Sequence, residues 1–512
     1  MAKNKTDVSR RDFLKKSALL GASAVTASYF SPNSFAASRD RVTIYHSSVA
    51  DSIHPYNHSS SPIYGNWQHA IEPLIEYDFK RKDYIGVLAE SWLFQGNKWV
   101  FKLRKGIKFH DSTPFTARDV SFSVEKMRDE KGGSLQAPNF KDVIEIQTPD
   151  DYTVIFVTKQ PNAVFLDRLD NRLIVSKAVG DKYGDKLYEN LVGTGPYKFV
   201  SFQRGGNLVF TRNDDYWGPK PVIKEVIFRK VTEDAARLAA LESGQADFIN
   251  NVPDHEVPRL RKHPRIRVDQ LEGTRMFFLA FNMAFKPWDN KLVRQAANYS
   301  VDAPSIIRNI FDGIGYPCNG PVGANVLGAD PKLKRYPYDP NKAKELLTKA
   351  GFPNGCDIQL YYSPGRYPKD REVCQVVAAQ MVKGGFRVEL ISQEWALFWD
   401  KQGVNGGKLP FYYIGRGGLT DADTLYGQYF RTGTTKRTNY GNPELDKLVE
   451  EQQKTPDAKK RVAILQRAGK FIMDEALFIP LYNLADIYGA AKNLQWKGRP
   501  DERVMARDMT IT

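Results

Sequence analysis

Two arginines and two aspartates stand where their types and spacing would let them hold a charged small molecule. Arg366 lies in Tyr361-Tyr362-Ser363-Pro364-Gly365-Arg366-Tyr367-Pro368, directly after a segment that reads as a strand. Its planar guanidinium offers two parallel charge-assisted bonds to a carboxylate. The alternative is a solvated loop arginine. Arg416 follows Tyr412-Tyr413-Ile414-Gly415 and precedes Asp421 and Asp423. It either favours an acidic or phosphorylated ligand or pairs with one of those two acids. Trp395, Phe398 and Trp399 recur at helical spacing after Gln393-Glu394. Such a stripe more often packs a core than walls a cleft. Trp395 is kept as a candidate ligand wall.

The other reactive side chains point to less. His46, His54, His58 and His69 are near one another in sequence, but His54-Pro55-Tyr56-Asn57-His58 is loop-like and nothing fixes the imidazoles around one ion. No metal is assigned. The three cysteines, Cys318, Cys356 and Cys374, cannot form a closed set of disulfides. Three thiols are expected, with a Cys356–Cys374 bridge as the alternative. The sequence has no G-x-S-x-G, H-E-x-x-H or P-loop pattern. No catalytic residue and no cofactor are therefore assigned. The formal net charge of +15 is spread along the chain rather than packed into a tract. That pattern fits a solvated basic surface and argues against nucleic acid as a partner.

Residues 9–15 read Ser-Arg-Arg-Asp-Phe-Leu-Lys and resemble the twin-arginine export signal. A mildly apolar stretch from Ala18 to Phe30 follows, too short to span a bilayer stably. Ser34-Phe35-Ala36 then supplies small residues at the −3 and −1 positions of a cleavage after Ala36. Signals of this class export folded proteins, which agrees with the sparse cysteine usage. No cysteine follows the apolar stretch until Cys318, so a lipid anchor is not expected. The expected location is the periplasm.

The elements that must position these residues are legible in part. A chain of 512 residues exceeds one small core and suggests two or three lobes. Val42-Thr43-Ile44-Tyr45 reads as a first strand. Trp99, Phe101 and Leu103 alternate with polar or smaller neighbours at period two. Val143 to Ile146 and Tyr152 to Val157 flank Pro149-Asp150-Asp151, which predicts a hairpin. Gly205-Gly206 predicts a second turn, before Leu208-Val209-Phe210. Asp339-Pro340 predicts a helix start, with Ala343, Leu346, Leu347 and Ala350 on its apolar face and Gly351 at its end. Thr455-Pro456 predicts another, carrying Val462, Leu465, Ala468, Phe471 and Ile472. Ile479-Pro480-Leu481-Tyr482 reads as a return strand.

Five ordered blocks resemble family 5 of the bacterial extracellular solute-binding proteins, the dipeptide-, oligopeptide- and nickel-binding components of ABC importers. They are Leu88-Ala89-Glu90-Ser91-Trp92 with Phe101 through Asp111 and Pro114 through Val120; Gly193-Thr194-Gly195-Pro196-Tyr197 with Asn213-Asp214-Asp215-Tyr216-Trp217-Gly218; Leu241 through Asp247; Phe281-Asn282 with Val293 through Ala297; and Tyr338-Asp339-Pro340 through Phe352. The family favours glycine where this chain has Ser112. The resemblance implies an α/β, two-lobed periplasmic-binding-protein fold of class II type with an extra subdomain on the first lobe. It implies a signal segment at 1–36, lobe I at 37–70 and 197–280, the extra subdomain at 71–196, lobe II at 281–489, and a return to lobe I at 490–512. Two strands would form the hinge. Gly106, Gly193 and Gly195 would permit turns, and Trp92, Phe109 and Tyr197 would fill cores.

The implied role is non-catalytic: a monomer that captures di- or oligopeptides and delivers them to an inner-membrane permease. An oligosaccharide, an opine-like conjugate, or a nickel or haem ligand is the alternative. In dipeptide-binding relatives an arginine near Arg366 holds the ligand carboxylate. Relatives usually carry Gly-Trp followed by acidic residues where this chain has Gly415-Arg416 and a shortened run to Asp421 and Asp423. One of those acids pairs with the peptide ammonium in relatives.

Overall fold

The computed structural model describes residues 40–58, 60–433 and 436–512. Its compact body is Ala37–Thr512. The export signal read at 1–36 lies outside the described residues.

One long sheet organises this body. Its strand order is Phe386–Ser392, Cys356–Tyr362, Phe411–Arg416, Ile266–Phe281, Phe478–Ala491, Phe248–Ile249, Arg41–His46, Glu225–Lys230, Asn207–Arg212 and Tyr197–Phe202. Each end contains parallel pairs. Arg41–His46 runs parallel to Glu225–Lys230 and Phe248–Ile249. Cys356–Tyr362 runs parallel to Phe386–Ser392 and Phe411–Arg416. Parallel pairs need crossover connections, and helices supply them on the sheet faces.

Ile266–Phe281 and Phe478–Ala491, the longest described strands, lie side by side in the middle of this order. They pair antiparallel from Ile266 opposite Ala491 to Ala280 opposite Phe478. The ladder is interrupted between Glu272 and Met276. At the far end the side chains alternate between two cores. Phe277, Leu279 and Phe281 enter the core that holds Trp288, Val373 and Phe411. Met276, Phe278 and Ala280 enter the core that holds Leu425, Leu465 and Phe478. The period of two explains why this stretch is apolar at every position: helices cover both of its faces. A separate large core, built from Val42, Trp67, Phe101, Val120, Phe156 and Phe228, lies at the other end.

A four-stranded antiparallel sheet stands apart from the long one, in the order Ala89–Gln95, Lys98–Leu103, Thr153–Thr158 and Val143–Asp150. It contains the hairpin that Pro149-Asp150-Asp151 predicts. The helix Ala117–Arg128 is held at its start by a capping box between Thr116 and Asp119. Gly193 and Gly195 do more than permit a turn. A Cβ on Gly193 would stand 1.9 Å from the Ala70 carbonyl oxygen, and one on Gly195 would stand 2.5 Å from that of His69. Close backbone approach, rather than turn geometry, requires glycine at both.

Asp339 caps Pro340–Lys349 by accepting from the Lys342 N–H at 2.9 Å, and Gly351 follows at φ +93°. The second predicted start is displaced. Asp457, not Thr455, caps Ala458–Asp474, while the Thr455 hydroxyl donates to the Glu451 carbonyl and closes the helix before it. Cys318, Cys356 and Cys374 are free thiols, all buried. No described helix is long and apolar enough to cross a membrane.

Candidate functional site

A cavity of about 590 Å³ opens between the two ends of the sheet. Residues 251–255 and Asp234 line it from one side, 366–369 from the other, and Arg275, Asp486 and Glu502 from the crossing strands and the C-terminal segment. A second cavity, about 430 Å³, is lined by Ser61, Tyr64, Arg168, Thr274, Gly417 and Arg503 among others. Arg275 and Glu502 line both, and their ion pair, 3.5 Å long, stands between the two spaces. Another cavity of about 580 Å³ surrounds Trp288 and Arg387 at the sheet edge. Its arginine already holds Asp357 at 2.6 Å, which leaves Lys286 as the cation on its wall. The space that draws polar groups from several elements is the better candidate.

Arg366 projects from a pinned loop. The Asp370 carboxylate accepts from the N–H groups of Gly365 (3.2 Å) and Tyr367 (3.0 Å), and the Tyr367 hydroxyl donates to the Gly415 carbonyl (3.0 Å). The Arg366 side chain is exposed. Its guanidinium lies 4.5 Å from the Trp395 ring centre and 4.9 Å from that of Tyr367. Among the described residues no carboxylate pairs with it. Trp395 opens the short helix Trp395–Trp399, whose start Glu394 caps through the Ala396 N–H at 2.9 Å. The indole also stacks on Trp399 at 5.5 Å and on Phe398 at 5.8 Å. Trp395 is thus both core and platform: its packing fixes the ring on which Arg366 rests.

Arg416 ends the strand Phe411–Arg416 and donates to the Gln428 side-chain oxygen at 2.5 Å. It stands 6.0 Å from the Trp399 ring centre, and its Nε is buried without a hydrogen-bond partner. It pairs with neither nearby aspartate. Asp421 is fully buried, caps Ala422–Tyr429 through the Asp423 N–H (2.9 Å) and forms an ion pair with Arg461 Nη1 at 2.6 Å. Asp423 accepts from Gln452 and from Gln453 (2.9 Å) and lies 4.0 Å from Arg168 Nη2. Burial, with the Asp421 charge beside it, pushes the Asp423 acid up, and Arg461 opposes this. With Thr420 donating to Asp167, these residues form a buried polar knot between Phe165–Leu169 and the helices from 422 onward. Neither aspartate lines the two cavities.

The histidines do not converge. His46 Nδ1 accepts from the Ser48 N–H at 3.0 Å, and His69 Nε2 accepts from that of Ala506 at 3.0 Å. His54 lies against Tyr188 and His58 against Tyr64, with ring centres 4.0 and 5.0 Å apart. Burial lowers His46 to about 3 and His58 and His69 to about 4, the behaviour of neutral core groups. Among the described residues no group of three or more His, Cys, Asp or Glu is placed to hold a metal ion.

Sequence reasoning missed Arg275, Asp486, Glu502 and Lys369. The Lys369 ammonium crosses the larger cavity to Asp254 at 2.6 Å. Residue type alone does not mark these positions, because their partners come from distant segments. The one available signal was Gly273, a glycine inside an otherwise continuous strand pattern.

Residues 83–437 match the family described as Bacterial extracellular solute-binding proteins, family 5 Middle. The chain is 28% identical over 454 residues to the Dipeptide-binding protein of Escherichia coli (strain K12), covering 82% of this chain and 83% of that protein. It is 28% identical over 461 residues to Heme-binding protein A of Haemophilus influenzae, covering 83% and 82%. Among solved structures, the ABC transporter-associated periplasmic binding protein DppA from Helicobacter pylori, in complex with peptide STSA, superimposes with a TM-score of 0.72 at 25% identity, covering 92% of this chain and 98% of that one. The long mixed sheet crossed by two strands is therefore a periplasmic-binding-protein fold, and the chain belongs to family 5 of the bacterial extracellular solute-binding proteins.

Proposed function

We propose that this protein captures peptides in the periplasm and delivers them to an inner-membrane ABC permease. The observation that carries the reading is Arg366: an exposed guanidinium, backed by Trp395 and Tyr367, at the wall of a cavity between two separate cores. Such a group suits a ligand carboxylate. The peptide-binding relatives in Escherichia coli and Helicobacter pylori support the ligand class. In this reading lobe I comprises 37–70, 197–280 and 490–512, the extra subdomain 71–196, and lobe II 281–489. The protein works as a monomer, and the twin-arginine segment at 1–36 is its export address. Trp395 and Arg416 belong to the wall around Arg366; Asp421 braces lobe II through Arg461, and Asp423 reaches across to Arg168, rather than contacting the ligand.

An acidic conjugate in place of a peptide is the second reading, favoured by Arg275 and Lys369 on the same cavity wall. Mass spectrometry of material co-purified from the periplasm separates the two. Peptides of defined length support the first reading. Acidic non-peptide conjugates overturn it.

A further inference from the structure

The buried acids elsewhere in the protein have partners. Asp421 has Arg461, Asp423 has two glutamines, and Glu76 has three arginines, two of which also hold Asp501. Asp486 differs: among the described residues no arginine or lysine pairs with it, its Oδ2 is buried without a hydrogen-bond partner, and the residue lines the larger cavity. A buried polar atom left in this state calls for a reason.

Two glycines build the surroundings. Asp486 lies over Gly273 of the paired strand, where a Cβ would stand 2.5 Å from its Oδ2. Gly417 makes room for Arg275 in the same way, since a Cβ there would stand 2.7 Å from Arg275 Cζ. Arg275 in turn holds Glu502, which sits at φ +64°, a backbone conformation that side chains other than glycine rarely adopt. The cavity wall therefore carries two carboxylates and one guanidinium, and one carboxylate oxygen, buried against Gly273, has no hydrogen-bond partner among the described residues.

We infer that Asp486 and Glu502 form the receptor for a cationic group of the ligand, with Arg275 positioning Glu502. This rests on the peptide reading for the identity of that group, a primary ammonium, with Arg366 on the same cavity taking the opposite end. The acids in the loop after Arg416, expected to serve this purpose, are committed to Arg461 and the glutamines.

The receptor has a proton signature. Burial and the Glu502 charge push the Asp486 acid well above the ordinary carboxylate range, Asp501 adds to this, and Arg275 opposes it. Asp234, Asp254, His255, Arg366 and Lys369 also line the cavity. Before ligand arrives, Asp486 thus keeps its proton to higher pH than an ordinary aspartate. An arriving ammonium stabilises the ionised form, so Asp486–COOH and R–NH₃⁺ give the Asp486 carboxylate paired with R–NH₃⁺ and one proton released to solvent.

Calorimetry near neutral pH, in two buffers of different ionisation enthalpy, tests this with three probes: a pool of tetrapeptides, the same pool N-acetylated, and agmatine, a cation without a carboxylate. Free tetrapeptides are expected to bind with proton release, and the acetylated pool about thirtyfold more weakly or worse, the loss for one broken buried charge pair, and without release. Asp486→Asn and Glu502→Gln are expected to melt like the parent and to lose the discrimination. Equal binding of both pools, or discrimination that survives Asp486→Asn, overturns the receptor and leaves the peptide reading intact. If the parent binds neither pool, the peptide reading falls and agmatine decides the receptor. Agmatine binding lost in Asp486→Asn upholds it, and binding that is absent or unchanged in the variant overturns it.

Discussion

Arg366 is held ready by its neighbours. Asp370 pins the loop beneath it, Trp395 and Tyr367 cover its faces, and its edge is open to the cavity. Arg366→Ala is expected to weaken peptide binding by about 2–5 kcal/mol, since the ligand carboxylate would be left buried without its partner. Arg366→Lys is expected to recover only part of this, because an ammonium lacks the planar fork. Melting without ligand should not move, and calorimetry on the three proteins reads the difference. Asp421 makes the opposite case. Asp421→Asn leaves Arg461 buried and uncompensated, and is expected to cost about 3–5 kcal/mol of folding stability. Denaturant titration would show that loss, with peptide affinity within a few-fold of the parent. A variant that folds normally but no longer binds would return Asp421 to the ligand site. The placement of Arg366 on a loop after a strand and of Trp395 on a packed helical stripe was legible because both depend on local sequence; their contact with a ligand is what the calorimetry tests. Asp421 and Asp423 were legible as acids but not as a structural pair, because Arg461 and Gln452 lie on helices further along the chain.

At the scale of elements, local rules predicted what local chemistry controls. The Pro149-Asp150-Asp151 hairpin and the Asp339 cap each depend on neighbours within a few residues. The helix start near Thr455 moved by two positions because Thr455 found a better partner behind it, in Glu451. Sheet order was not legible, since pairing between Ile266–Phe281 and Phe478–Ala491 joins segments remote in sequence. Long-range pairing also fixes the C-terminal segment. Glu76, on Ile75–Asp78, meets Arg499 at 2.8 Å and Arg507 at 2.9 Å. Burial would raise this acid, but Arg499, Arg507 and Arg503 together bring it down to about 2. Its folded value lies below its ordinary one, so its stabilisation is present above about pH 4.5 and is lost as pH falls through about 2. Asp170 has the reverse sign. Burial, against the pull of Arg503, raises it to about 7, so its contribution is full below about 3.8 and is lost as pH rises through about 7. Unfolding free energies across pH are therefore expected to fall on both sides. Asp170→Asn should flatten only the neutral limb, and a neutral limb unchanged in that variant would contradict the assignment.

At the scale of the whole molecule, the proposed lobes meet at Lys369–Asp254 and where Asp423 and Thr420 reach Arg168 and Asp167. A ligand bridging the cavity favours the closed arrangement only by its differential affinity for it. Peptide binding is expected to reduce the radius of gyration in solution scattering. Lys369→Met should enlarge the ligand-free form and cost at most about 1 kcal/mol of affinity, the range for a solvent-accessible ion pair. Superimposable curves with and without peptide, in parent and variant alike, would rule out closure as the response. Export belongs to this scale too. Replacing Arg10 and Arg11 together by lysine is expected to leave precursor in the cytoplasm, while the parent begins at Ala37 by N-terminal sequencing. Normal periplasmic yield of the double variant would remove the twin-arginine reading.

The interruption between Glu272 and Met276 has a mechanical meaning. Rungs of hydrogen bonds resist bending, and here the register between the two central strands breaks, with the Thr274 N–H bonded to the Pro500 carbonyl instead. The gap contains Gly273, Thr274 and Arg275, and the last two line cavity walls. In the proposed two-lobed reading, the pivot is thus itself part of the surface offered to a ligand. A cargo that engages Arg275 presses on the fulcrum of the lever it is closing, whereas one gripped only at Arg366 pulls on the arm. Amide exchange should distinguish the two. Ligands that reach Arg275 will slow exchange at Gly273 and Arg275, and ligands that do not will leave those two amides as in the empty protein; Thr274, already bonded to the Pro500 carbonyl, is the internal reference.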